Sequence, residues 1–326
     1  MNKYFTIDCS KMVMAIMIVA LHSMPLFHNE TVDQYATWSF DLVVPLFFCF
    51  SGFFFAKNTD LRKSLKHLLP LYLFYAAFSW PLSFIVFEGL TWLQALHKGL
   101  FLGTFNVGWF IIALIWSMTI IYFFDKLKNK ILRYSAITAF ALLCYSVCLS
   151  ILSYHSYLSH GVIKAIQNIS FDLFVVPQWS FMRGILFFTI GFLFNRLEIN
   201  LPRAISIPLL IIALISYFSE LTLSNQAGIL VTSINFSMPF VVFSGMAVIL
   251  SYCRPIDDHG FGKKFRQTST MLYLCHPMIM FLLYRAFGIT DGWFRFIPTL
   301  IVFAVGLAIY QRLRRKPHFQ WLRYAC

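Results

Sequence analysis

The sequence predicts an all-α, polytopic integral membrane bundle of about ten transmembrane helices, with the N- and C-termini cytoplasmic. Three observations carry that prediction. Hydrophobic residues make up 59% of the chain and charged ones 12%, with a mean hydropathy of +0.73, where soluble domains carry about 25% charge. Apolar stretches recur from one end to the other, each near the roughly 20 residues that cross a bilayer core. With the N-terminus inside and the spans alternating, 21 of the 26 Lys and Arg fall on the cytoplasmic side, the bias expected of inner loops. Lys98, Lys164, Arg183, Arg285 and Arg295 remain outside. This distribution accounts for the net charge of +13 through membrane orientation, and no nucleic-acid partner is expected. The inner cations would meet anionic membrane lipid or a phosphate-bearing cofactor.

The expected spans lie near 10–27, 37–56, 68–89, 107–124, 135–153, 183–195, 204–221, 229–252, 269–287 and 293–311. The first lacks the small-residue cleavage site and the purely apolar core of a signal peptide. It opens with Asp8 and Lys11 and carries His22 far along its apolar run. His22 stands eleven positions after Lys11, about 1100° of rotation and so only about 20° past three full turns, which puts both on one face about 16 Å apart. Asp8 reads as a helix N-cap and Lys11 as a snorkelling cation, each with a functional alternative. An imidazole at that depth needs partners for its nitrogens, so His22 is a candidate for chemistry or a structural histidine bonded to a neighbour.

The second span carries Asp41 and Pro45 and ends in Ser51-Gly52, a pair that permits close helix approach. Asp41 is placed to reach His22 or a polar acceptor. A basic run, "LRKSLKH", precedes the third span. Residues 91–103 and part of 154–182 have the mixed polarity of interfacial helices. The sixth span begins at Arg183, either an interfacial anchor or a grip for an anionic or sugar substrate. The ninth holds Ser269, Tyr273 and His276. Seven residues, about two turns, separate Ser269 from His276 and place them on one side. His155 and His160 read as solvated loop residues.

Seven cysteines give no disulfide framework: none falls in an expected outer loop, and no C-x-x-C pair suggests a metal site. No Walker loop, dinucleotide fingerprint, H-E-x-x-H or G-x-S-x-G motif is present. Chemistry must therefore come from membrane-embedded polar side chains. Residues 1–326 are expected to form a single transmembrane domain without an appended soluble one.

In this setting the chain resembles the integral-membrane acyltransferase family 3, the bacterial O-acyltransferases that modify cell-surface glycans. That family's first helix opens on aspartate and has a basic residue, usually arginine, separated by ten residues from a histidine. "IDCSKMVMAIMIVALH" is similar, with Lys11 in the arginine's place and His22 as the histidine. "VPLFFCFSGFFFAK" resembles the second hallmark through Pro45, Phe47, Phe48, Ser51 and Gly52. "GWFIIALI" matches through Trp109, Phe110 and Leu114, "FMRGILFFTIGFLF" through Arg183, Phe188 and Gly191, and "STMLYLCHP" through Ser269, Tyr273 and His276. The matches run in family order from about residue 7 to 277. The chain departs from the pattern at Lys11, at Val107 where many members have histidine, and in the basic run after the second span.

The resemblance implies an acyl donor, acetyl-CoA, on the cytoplasmic side, with Lys11, Arg62, Lys63 and Lys66 meeting its phosphates. It implies His22 as general base or acyl relay, with Asp41 or His276 orienting the imidazole or binding the acceptor. Arg183, Ser269, Tyr273 and His276 fall on the substrate side. The acceptor would be a hydroxyl of a cell-envelope glycan or lipid-linked intermediate, and the location the bacterial cytoplasmic (inner) membrane. Two rivals are a transporter or flippase of an acylated or lipid-linked sugar, and a family relic that no longer binds CoA.

Overall fold

The fold is that of a computed structural model, which describes residues 4–79, 89–103, 107–152, 161–174, 179–228, 234–316 and 318. These residues form helices α1 (Phe5–Leu21), α2 (Glu30–Asp41), α3 (Val43–Lys57), α4 (Leu61–Phe78), α5 (Trp92–Phe101), α6 (Gly108–Asp125) and α7 (Lys130–Leu152). They continue with α8 (Gly161–Phe174), α9 (Phe181–Arg196), α10 (Arg203–Gln226), α11 (Met238–Ser251), α12 (Phe261–Phe287) and α13 (Trp293–Leu313). Every expected span overlaps at least one of them. The end of the third span, the start of the eighth, and His155 and His160 lie outside the described residues.

Among the described residues, six helical stretches are long and apolar enough to cross a membrane: Glu30–Lys57, Gly108–Asp125, Lys130–Ile151, Arg203–Gln226, Phe261–Phe287 and Trp293–Leu313. The chain is thus a multi-pass helical membrane protein. The other expected spans fall short for local reasons. Helices α1, α9 and α11 have 17, 16 and 14 residues, and Arg62, Lys63 and Lys66 occupy the first turns of α4. Helices α5 and α8 lie where interfacial helices are expected; α5 opens with a capping box between Thr91 and Gln94 and leaves Trp92, Leu93 and Leu96 exposed.

Two element boundaries differ from expectation. Helix α1 starts at Phe5 and ends at Leu21 rather than covering 10–27, so His22 is its C-cap. There the Ser23 hydroxyl donates to the Val19 carbonyl at 2.8 Å, and Pro25 disfavours helix at the residue before it. The second span begins earlier, at Glu30, where the Asn29 side chain accepts from the Val32 amide. It breaks at Leu42 between α2 and α3. Pro45 lacks the N–H that would bond the Asp41 carbonyl, and its ring crowds that carbonyl; the break sits there.

Helices α3 and α9 make the tightest crossing. A Cβ added at Gly52 would strike the Phe188 carbonyl, and one at Gly191 the Cys49 carbonyl. Only glycine permits that backbone approach, the device that membrane helices use in place of hydrophobic drive. Phe48, Phe188, Phe192 and Phe194 fill the surrounding core.

Helices α1 and α12 run side by side in the same direction. Asp8 meets Arg266 at one end, and His22 meets His276 at the other. A smaller apolar cluster of Ala15, Val19, Leu272, Met280 and Phe303 binds these two helices to α13. The end holding Asp8 is also the basic end of the bundle. There Asp125 takes Arg196 at 2.9 Å and Arg133 at 3.4 Å, while Arg196 also reaches Thr59 at 3.1 Å.

Candidate active site

Polar side chains gather at two places along the α1–α12 pair: at Asp8 and Arg266, beside a cavity, and at the His22–His276 stack. At the basic end Asp8, fully buried, accepts two bonds from the Arg266 guanidinium at 3.1 Å each. The expectation that Asp8 caps α1 is corrected. Tyr4 is the N-cap, without a side-chain capping bond, and Asp8, a full turn in, holds Arg266. Arg266 faces a cavity of about 650 Å³ also lined by Lys11, Lys63, His67, Lys263 and Thr270. That volume lies within the about 300–1,000 Å³ typical of ligand pockets. A narrower space of about 160 Å³ shares Lys11, Ser51 and His67 with it and runs on to Ser269 and Tyr273. Lys11 stands at the junction, its ammonium 4.8 Å from the Phe54 ring centre.

Beyond this neck the Tyr273 ring packs on Phe110 at 5.2 Å and on His276 at 6.1 Å. His276 is fully buried and stacks on His22, with ring centres 5.1 Å apart and planes 29° apart. His22 is exposed on its other side. The His276 Nδ1 lies 2.7 Å from the Tyr273 carbonyl and 3.3 Å from that of Leu272. Carbonyls only accept, so Nδ1 carries the proton and Nε2 of the neutral ring is a bare lone pair. Nε2 is buried and has no hydrogen-bond partner among the described residues. The sequence supplies the reason for this geometry: Pro277, inside α12, lacks the N–H that would have occupied the Tyr273 carbonyl. The freed carbonyl serves His276 instead.

Other predicted residues fall elsewhere. Asp41 and His22 share no hydrogen bond among the described residues. Asp41 is half-buried at the α2–α3 break, where the charged group acting on it is Arg183, and it acts in turn on Tyr217. Arg183 is buried in the first turn of α9. It lies within electrostatic reach of Asp41, Tyr145 and Tyr273. Ser269 donates to the Arg266 carbonyl at 3.0 Å, so its hydroxyl lines the neck and does not partner His276. Arg62 and Lys66 face away from the cavity into a separate surface groove with Leu69, Pro70 and Tyr122. Helical geometry explains the split: Lys63 and His67, one turn apart, share one side of α4, and Arg62 and Lys66 share another.

Sequence reasoning missed His67, Lys263, Arg266 and Arg295. The charge of Arg295 reaches both imidazoles, although the residue reads as an outer-loop cation. The one available signal for Arg266 was the pairing of a buried first-helix acid with the distant basic run that opens α12. Among the described residues no three His, Cys, Asp or Glu side chains gather as a metal site, and the six described cysteines are free thiols.

A basic cavity and a stacked imidazole pair thus lie along one helix pair of a multi-pass helical membrane protein. The family described as an acyltransferase domain matches residues 4–310, nearly the whole chain. The protein belongs to acyltransferase family 3 and is a membrane acyltransferase. No curated protein and no solved structure matches it.

Proposed function

We propose that the protein transfers an acetyl group from cytoplasmic acetyl-CoA to a hydroxyl of a cell-envelope glycan or lipid-linked intermediate. The bundle would act as one catalytic domain in the bacterial cytoplasmic membrane. The observation that carries the reading is the His22–His276 stack on the same helix pair as a cavity lined by Lys11, Lys63, Lys263 and Arg266, with Tyr273, which lines the adjoining neck, packed on His276. Four cations around one opening suit the phosphates of CoA, and the neck past Lys11 suits its slender pantetheine arm. Lysine at position 11 provides a point charge where arginine would provide a fork.

In the proposed reaction His22, the more accessible imidazole, takes the acceptor hydroxyl proton. The hydroxyl oxygen attacks the thioester carbonyl, the C–O bond forms and the C–S bond breaks. The proton then passes from the imidazolium to the departing CoA thiolate. His276, held by two carbonyls, fixes the plane on which His22 rests. The experiment supplies membranes containing the protein with acetyl-labelled CoA and follows free CoA and label in envelope glycans and lipids. Matched CoA release and label transfer are expected. Solute movement with no consumption of the thioester would replace this reading with transport.

A further inference from the structure

Arg295 has no role in the reaction as written, yet its placement is specific. The Gly292 amide donates to the Ser23 carbonyl at 2.7 Å, tying the start of α13 to the residue after His22. Gly292 has φ 68°, a left-handed conformation that favours glycine. Trp293 packs on Phe27 across the same junction. One turn on, Arg295 is half-buried and gives one hydrogen bond, from Nη1 to the Thr290 carbonyl at 2.6 Å. Its Nε is buried without a hydrogen-bond partner among the described residues. Asp291, exposed, is within electrostatic reach but makes no ion pair with it among the described residues. The N-terminus of α13 carries no side-chain cap, so its orphan amides add positive potential at the same place.

We propose that Arg295 is the docking group for a negatively charged acceptor, binding a phosphate or carboxylate beside the hydroxyl that is acylated. The inference rests on the acyl-transfer reading and adds the acceptor's charge to it. When an imidazole takes up a proton it becomes a cation next to a fixed guanidinium, and two such charges repel strongly in a low dielectric. An anion held by Arg295 cancels that repulsion as the proton moves. The position agrees: the donor cavity lies at the Lys11 end, so the exposed side of His22 and Arg295 face the acceptor.

The test uses Arg295→Gln and Arg295→Lys in membranes supplied with labelled acetyl-CoA, with glucose 6-phosphate, glucuronate and glucose as competing probes. Thermal stabilisation by CoA is measured in parallel on the purified protein. In Arg295→Gln, label transfer should fall about 10- to 100-fold, the worth of a hydrogen bond to a charged group, while stabilisation by CoA stays as in wild type. Arg295→Lys should recover much of the transfer. The two anionic probes should inhibit wild type and lose that effect in Arg295→Gln; glucose should inhibit neither. Label extracted with lipid would place the charge on a lipid-linked phosphate, and label in aqueous polysaccharide on a sugar carboxylate. Wild-type transfer by Arg295→Gln, equal inhibition by glucose, or loss of the CoA effect in both variants would overturn the proposal. If wild type itself neither transfers label nor is stabilised by CoA, the acyl-transfer reading fails first.

Discussion

The two ends of the α1–α12 pair contrast two ways of placing polar groups in a membrane bundle. At the Asp8 end a buried carboxylate takes two charge-assisted bonds from Arg266, whose outer side remains in solvent. At the His22 end a fully buried imidazole keeps a nitrogen without a hydrogen-bond partner among the described residues. Leaving a buried acceptor unmade costs on the order of 1–3 kcal/mol, and packing alone gives no reason to bear it. The satisfied end positions side chains, and the unsatisfied end is where a reacting group fits.

This contrast is broken most directly at the imidazole pair. His22→Ala should lower label transfer about 10²- to 10⁴-fold, the worth of a positioned general base, with little change in thermal stability. His276→Ala should be costly in the same assay. Pro277→Ala is the finer probe. It supplies an amide that competes for the Tyr273 carbonyl, so the helix should be as stable or more so while transfer falls about 3- to 10-fold from a loosened His276. An unchanged rate would detach the proline from the site.

At the paired end the expected effects are on stability. Arg266→Gln should cost about 3 kcal/mol, because Asp8 is buried and loses its guanidinium. Asp8→Asn should cost about 1 kcal/mol, because the released Arg266 is solvated. Equal losses, read from thermal unfolding in detergent, would mean that the pair is not asymmetric. The α3–α9 crossing gives a control without chemistry: Gly52→Ala and Gly191→Ala should each destabilise by about 1–3 kcal/mol through backbone collision. The smallest effect concerns α4. Lys63→Ala should raise the KM for acetyl-CoA by about 2- to 5-fold, a rim charge being worth up to about 1 kcal/mol, while Arg62→Ala and Lys66→Ala should leave it unchanged.

The helices were legible in the sequence because hydropathy marks them, and both histidines were legible because imidazoles are rare at that depth. Lys11 and His22 share a face by simple rotation, but only Lys11 lines the cavity, while His22 is the C-cap of α1. What was not legible was pairing between distant elements. Nothing local in "IDCSK" says that Asp8 will spend itself on Arg266, and nothing in "GWFRF" says that Arg295 will be folded back against the end of α1 through Gly292. The basic run on α4 misled for a different reason. Consecutive charges in a helix diverge by about 100° each, so only half of them face the cavity.

The most direct test of the central claim compares wild type and His22→Ala at equal protein level in membranes given acetyl-labelled CoA, with CoA-induced stabilisation as the control for donor binding. The account predicts label transfer by wild type alone and equal stabilisation of both. Wild-type transfer by His22→Ala would contradict it and return His22 to a packing role.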